Sequence, residues 1–286
     1  MNEWADDCRR WIGRSETTED VAARAPALRL AATLDRSDLT ARLLAPGATL
    51  PPCWHWLYLL PCAPQSTLGA DGHPVRGGFL PPVALPRRMW AGSRIEFHAP
   101  IAFGAALVRK STIANVESKS GRSGALAFVT VRHEIRADGR LAVVDERDIV
   151  YREAPQPGAS DAARGEEAPR IAQFRRTVAP DPVLLFRYSA LTFNGHRIHY
   201  DRGYATGVEG YPGLVVHGPL QATLLLDLLD RELPGARVAR FAFRALAPLF
   251  DTAPFEVCGA REAGRVRLWT QRPDDTIALD ATAELD

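Results

Sequence analysis

Lysine is almost missing from this chain. Only Lys110 and Lys119 occur among 35 basic residues, which leaves 33 arginines. The arginine fork suits carboxylate and phosphate recognition, although a compositional bias of the source genome produces the same excess. A surplus of charge is missing too. The 35 basic residues face 34 acidic ones, for a formal net charge of +1. That balance excludes the basic excess of a nucleic-acid binder and an acidic disordered tail. No apolar run approaches the roughly 18 residues that suggest a membrane span. The acidic start Met1-Asn2-Glu3-Trp4-Ala5-Asp6-Asp7 has no apolar h-region, so no signal peptide is expected and a cytoplasmic location is. Cysteine is scarce: Cys8, Cys53, Cys62 and Cys258 form no C-x-x-C pair. Reduced thiols are expected, and neither a zinc site nor a disulfide framework.

The chain has 286 residues, close to two domains at roughly 150 residues each. One stretch, EAPQPGASDAARGEEAPR at 153–170, has linker composition: Ala, Pro, Gly and charge without periodicity. It divides the chain into a first unit, 1–152, and a second, 171–286. The two units share an order of elements. In the first, an extended stretch at 95–103 is followed by strand-like runs at 107–117, 125–136 and 141–151. Their joints are Ser120-Gly121-Arg122-Ser123-Gly124 and Asp138-Gly139, the latter a strong hairpin signal. In the second, a similar stretch at 241–250 precedes runs at 255–261, 265–271 and 276–283. Arg265-Val266-Arg267-Leu268-Trp269 alternates with the period of a half-buried strand.

Each unit also holds a helical candidate ahead of its strands. In the first unit it is 19–34, with Thr17 or Thr18 as cap and Pro26 as an interruption. In the second it is 219–233, with Gly218 as N-cap and Pro219 in the first turn. Leu220, Leu224, Leu225, Leu228 and Leu229 fill more than one face of that helix, as expected if a sheet wraps it. The fold class expected is α+β: a double hot-dog, with two antiparallel sheets each wrapping a helix, fused in one chain. Trp54, Trp56 and Tyr58 alternate as one face of a strand would, and suit packing or a pocket wall.

Chemistry concentrates in Thr192-Phe193-Asn194-Gly195-His196-Arg197-Ile198-His199-Tyr200-Asp201. Just downstream, Gly213-Leu214-Val215-Val216-His217-Gly218-Pro219 leads into the apolar helix. A helix start leaves backbone N–H groups unpaired and carries positive potential, so it can cradle an oxyanion. The first unit has no second copy of this cluster. One site per chain follows, built by the second unit, with the first covering it and shaping an acyl pocket. His55, His73, His98 and His133 stand outside any constellation, and Arg87-Arg88 could reach an anion but reads first as a solvated surface pair.

These residues resemble the MaoC-like hydratase/dehydratase family of double hot-dog enzymes. The family's motif reads Gly-Asp-x-Asn-Pro-Ile/Leu-His, followed by an apolar-His-Gly start to the central helix. Here Asn194 falls at the Asp position, His196 at the Asn position, Arg197 at the Pro position and His199 at the catalytic His. The block 188–201, with Glu209-Gly210-Tyr211, His217-Gly218-Pro219 and the first-unit run 77–92, is most similar to one branch. That branch contains the 3-methylfumaryl-CoA (mesaconyl-C4-CoA) hydratases and the type 2 hydroxyacyl-thioester dehydratases. The resemblance covers nearly the whole chain.

It implies addition of water across the double bond of a branched enoyl-CoA, with 3-methylfumaryl-CoA going to citramalyl-CoA. Rivals in the same chemistry are hydration of itaconyl-CoA and dehydration of a 3-hydroxyacyl thioester on CoA or a carrier protein. His199 is the expected acid/base, since imidazole accepts and donates near neutral pH. The Gly218 N–H is the expected enolate partner, and Asn194 the water holder. Asn194 is also the departure from the motif, because an amide does not titrate. His196 and His217 are expected to shape the substrate site. Arg197 pairs either with a substrate anion or with Asp201. No cofactor or metal is implied, CoA being part of the substrate, and no nucleic acid or membrane partner. A homodimer of double hot-dog chains is compatible with the family. Two other classes are weighed against this one: a hot-dog thioesterase, for which Asp227 is the first acid after His217, and a non-catalytic acyl-binding subunit.

Overall fold

The computed structural model describes residues 7–121, 124–153, 166–169 and 171–286. Residues 1–6, Arg122 and Ser123 of the first joint, and most of the expected linker, 154–165 and 170, lie outside them. The linker's described end is pinned to the sheet: the Ile277 N–H donates to the Glu166 carbonyl at 2.8 Å, and the Ala168 N–H to the Asp275 carbonyl at 2.9 Å.

The first unit contains β1 (Ser15–Val21), α1 (Arg24–Thr33), α2 (Ser37–Leu44), β2 (Arg87–Phe97), β3 (Ala106–Gly121), β4 (Gly124–Ala137) and β5 (Arg140–Arg152). The second contains β6 (Phe174–Val178), α3 (Pro182–Leu191), α4 (Arg202–Gly207), α5 (Gly218–Glu232), β7 (Val238–Ala245), β8 (Phe255–Glu262), β9 (Arg265–Gln271) and β10 (Ile277–Leu285). The sheet order is β1-β3-β4-β5-β2-β7-β10-β9-β8-β6. Read from its outer edge inward, each unit therefore has the same order, first strand, third, fourth, fifth, second. The duplicated antiparallel unit expected from the sequence is present.

The two expected sheets are joined as one. Strands β2 and β7 pair antiparallel, with Gly92 opposite Arg244 and Glu96 opposite Arg240. A Cβ on Gly92 would sit 2.3 Å from the Phe243 carbonyl oxygen, so the seam closes only around a residue without a side chain. Nothing in hydrophobic periodicity marks such a pairing, because both strands look like ordinary edges in sequence. One core crosses the seam, taking in Leu30 of α1, Ile95 of β2, Val143 of β5, Leu224 and Leu225 of α5 and Phe241 of β7.

Three local expectations change. The helix expected at 19–34 is a strand followed by a helix. Thr17 and Thr18 sit in β1, opposite Lys110 and Arg109 of β3, where β-branched residues fit a pleated surface. Pro26 is the third residue of α1, where its missing N–H has no intrahelical partner to lose. Trp54 to Leu57 form a buried 3-10 turn, not a strand face. The Trp56 indole N–H binds the buried Asp145 carboxylate at 3.0 Å, which holds the turn against β5. The N-cap of α5 is His217, and Gly218 is its first helical residue.

In the second unit, the connection from β6 to β7 ends in the fully buried stretch 220–229 of α5. The matching first-unit connection, from β1 to β2, has α1 and α2 but forms no α-helix over 45–86. The central helix is thus an asset of the second unit, and the first unit has loops in its place. The Asp138-Gly139 hairpin forms as expected, with φ of 48° and 81°.

Candidate active site

Helix α3 starts at the Asp181 cap, whose carboxylate accepts from the Val183 and Leu184 N–H groups at 2.7 and 2.9 Å. It ends in a tight turn with Phe193 at φ 49°. The Asn194 N–H donates back to the Ser189 carbonyl at 2.8 Å. The Asn194 side-chain oxygen accepts from the His196 N–H at 3.0 Å, an Asx turn of the kind this residue favours. The 3-10 turn Arg197–His199 follows, and the Val215 N–H donates to the Ile198 carbonyl at 2.9 Å. That bond brings the motif against the start of α5.

His199 is buried, and its Nδ1 donates to the Val215 carbonyl at 2.7 Å. Nδ1 therefore carries the proton, which leaves Nε2 as an acceptor. The His199 ring stacks on His217, with centroids 3.6 Å apart and planes at 18°. His217 Nε2 shares a hydrogen bond of 2.8 Å with the Ser189 hydroxyl. His217 Nδ1 is buried with no hydrogen-bond partner among the described residues. The His196 ring meets His199 edge-on at 5.5 Å.

The first unit enters through residues that sequence reasoning missed. His73, given no role from the sequence, lies against His196 with ring centroids 4.1 Å apart. Its Nδ1 donates to Asp71 at 3.1 Å. The loop docks backbone to backbone. The Arg197 N–H donates to the Asp71 carbonyl at 2.9 Å, and a Cβ on Gly72 would lie 1.9 Å from the Gly195 carbonyl oxygen. Gly72 also has a φ of 86°, so side chains are excluded there twice over. The Asp71-Gly72 pair was a readable turn signal, but nothing in sequence said which surface the turn would meet.

Both units line a cavity of about 1990 Å³ that holds His199, His217, Asn194, Trp56, Trp90 and Arg88. Trp56 and Trp90 meet edge-on at 5.1 Å and form an apolar wall. Arg87 and Arg88 are half-buried in this lining, not a solvated surface pair. Arg197 forms the expected pair with Asp201. Its Nε and Nη2 bind Asp201 at 3.0 and 2.7 Å, and its guanidinium lies 4.2 Å from the centroid of the Tyr204 ring.

Burial sets the electrostatics. It lowers the His199 pKa to about 4, the nearby His73 adding to the effect and the Val215 bond opposing it. His217 and His196 are pushed far below the usual imidazole range, by burial first and then by neighbouring imidazoles. The cluster is therefore a set of neutral imidazoles at neutral pH. Asp71, His73 and His196 place ligand atoms within 4.8 Å of one another. The Arg88 charge acts on both of those imidazoles, which disfavours a cation there. A neutral base beside the positive end of a buried helix can deprotonate water and hold an oxyanion.

Asp227 is on α5 but is taken out of this chemistry. It is buried and ion-paired to Arg36, Arg176 and Arg231. No helix among the described residues is long and apolar enough to cross a membrane.

The family described as hydroxyacyl-thioester dehydratase type 2 matches residues 53–251. A mesaconyl-C(4)-CoA hydratase of Chloroflexus aurantiacus is 51% identical over 281 residues, covering 98% of each chain. Among solved structures, a MaoC-like dehydratase from Phytophthora capsici superposes with a TM-score of 0.72 at 15% identity, covering 97% of each chain. A Mycobacterium tuberculosis protein described as having a double hotdog fold superposes with a TM-score of 0.59 at 17% identity, covering 98% of this chain and 97% of that one.

Proposed function

The chain belongs to the hydroxyacyl-thioester dehydratase type 2 family, and from that premise we propose that it hydrates 3-methylfumaryl-CoA to citramalyl-CoA. It is a hydro-lyase with an acyl-CoA substrate. The observation that carries the substrate is the 51% identity to a mesaconyl-C(4)-CoA hydratase along 98% of both chains. The geometry supports the chemistry independently, through one neutral, buried imidazole placed at the start of the central helix.

In the proposed reaction His199 Nε2 takes a proton from water as the water oxygen bonds to the β-carbon. The electron pair of the double bond moves to the thioester oxygen. The resulting enolate is held by the Gly218 N–H and the positive end of α5. The same imidazolium then returns the proton to the α-carbon on the face from which water came. His199 does this without a carboxylate at position 194. Asn194 uses its oxygen to hold the loop, and that oxygen's second lone pair is available to water. His217 fixes the His199 ring by stacking. His196 links that ring to the His73–Asp71 pair.

The reverse reaction, dehydration of a 3-hydroxyacyl thioester, uses the same groups and is favoured by the family's description. Thioester hydrolysis is disfavoured by the occupation of Asp227. The reaction as written calls for no cofactor. A panel of enoyl-CoA and 3-hydroxyacyl thioesters, followed by loss or gain of the conjugated thioester's ultraviolet absorbance, tests the reading. Fastest turnover is expected with 3-methylfumaryl-CoA; a preference for a linear fatty enoyl thioester would replace it with the dehydratase reading.

A further inference from the structure

The proposed substrate sets a demand that the family motif does not meet. The β-carbon of 3-methylfumaryl-CoA, which receives the water oxygen, also bears a free carboxylate. An anion must therefore sit one carbon–carbon bond from the atom that His199 serves. Burying it without a partner is costly, and it would oppose the negative charge that develops on the thioester.

The arginines that line the cavity are mostly committed. Arg87 pairs with Glu209 at 3.2 Å, Arg147 with Asp145 at 2.8 Å and Arg197 with Asp201 at 2.7 Å. Arg76 turns its guanidinium to the Val83, Leu85 and Pro86 carbonyls. Arg109 stands by Arg147 and Asp145, and its charge acts on His55 and His133, outside the motif. Arg88 differs. It is half-buried on β2, opposite Tyr151 of β5 in the strand register. Like Arg109 it has no carboxylate ion pair among the described residues, and its side chain hydrogen-bonds Tyr151. Its charge acts on His73 and His196, the imidazoles packed in series against His199.

We propose that Arg88 binds the free carboxylate of the acyl group and makes this site selective for dicarboxylyl thioesters over neutral ones. The proposal rests on the hydratase reading for its substrate, but its test does not need turnover. A guanidinium lining the same cavity as these neutral imidazoles offers both a charge and N–H donors to a carboxylate, the bidentate geometry for which arginine is suited. A strand residue provides the rigidity such a contact needs. The first unit thereby supplies specificity to a site whose reacting groups come from the second.

Binding of two unreactive thioesters of equal chain length, succinyl-CoA and butyryl-CoA, separates the carboxylate contact from contacts to CoA. The native protein is expected to bind succinyl-CoA more tightly. Arg88→Gln is expected to weaken succinyl-CoA by about 10- to 100-fold, as for loss of one charged hydrogen-bonded contact, with butyryl-CoA unchanged. Arg88→Lys should keep part of the preference. Arg197→Gln should leave it intact. Equal weakening of both ligands by Arg88→Gln would overturn the proposal and make Arg88 a CoA or structural contact. So would a preference that is absent from the native protein, or one that is lost with Arg197 instead. A native protein that fails to hydrate 3-methylfumaryl-CoA, yet loses its succinyl-CoA preference in Arg88→Gln, would remove the substrate reading and leave the carboxylate site standing.

Discussion

At the scale of single residues, His199 carries the account, and its burial makes a direct prediction. A base with a pKa of about 4 is neutral through the physiological range. The kcat/KM for hydration should therefore stay flat as pH falls from 7 to roughly 5, then drop as the imidazole protonates near its own pKa. A fall centred near 6.5 instead would show an imidazole not held by this environment. His199→Ala should cost about 10²- to 10⁴-fold in kcat, the usual worth of a positioned acid/base. Asn194 is a sharper case. Its oxygen holds the His196 N–H, and Asp can make the same bond. Asn194→Asp should thus keep the fold and the melting temperature, whereas Asn194→Ala should lose about 1 kcal/mol of stability. His199, Asn194, His196 and Gly218 were legible in sequence because they are close together in it. His73 was not, because over 100 residues separate it from the motif it joins, and at the same distance Arg88 could be read only as one of two arginines able to reach an anion.

At the scale of elements, strands with a two-residue turn between them were the easiest to read. The run 265–271 was expected with the same bounds that β9 has, and Asp138-Gly139 formed its hairpin. Helices were harder where a polar strand preceded them. Ser15–Val21 is mostly exposed, so β1 shows no alternation, and its identity comes from pairing with β3. The 3-10 turn at Trp54–Leu57 imitated a strand because the aromatic residues Trp54, Trp56 and Tyr58 fall at every second position. The seam between β2 and β7 depends on Gly92. Gly92→Val should force those strands apart and cost about 1–3 kcal/mol or more, by the overpacking argument. Gly264→Ala, with nothing within 4 Å of its Cβ, is the control and should cost about 1 kcal/mol or less, from its positive φ alone. Comparable losses in melting temperature for the two would deny the seam its tight fit.

At the scale of the whole molecule, duplication was visible in the repeated strand order, but the joining of two sheets into one was not. What ties the helical layer together is also ionic. Arg36, just before α2, is buried and pairs with Asp227 of α5, and it also reaches Asp230 at 2.6 Å. Asp227→Ala should destabilise the fold by about 3–5 kcal/mol, since it strands buried guanidinium charge. In a protein still folded at low temperature, hydration should persist, because Asp227 takes no part in the reaction. The buried and half-buried imidazoles set the pH response of the fold. His55, His73, His133, His196, His199 and His217 are all held below their ordinary value, mainly by burial. Each protonates less readily in the folded state than an unfolded histidine, which does so near 6.5. Stability from these groups is therefore full above about pH 6.5 and falls as pH drops below it, because the unfolded chain then binds more protons. The melting temperature should decline from pH 7 to pH 5; a flat profile would place these imidazoles in contact with water.

The central claim is that this cavity adds water to a dicarboxylyl enoyl thioester through His199. Incubating the native protein and His199→Ala with 3-methylfumaryl-CoA, and weighing the products by mass spectrometry, tests it most directly. The account predicts a thioester heavier by one water, with CoA still attached, from the native protein and almost none from the variant. Release of free CoA, or equal product from both proteins, would contradict it.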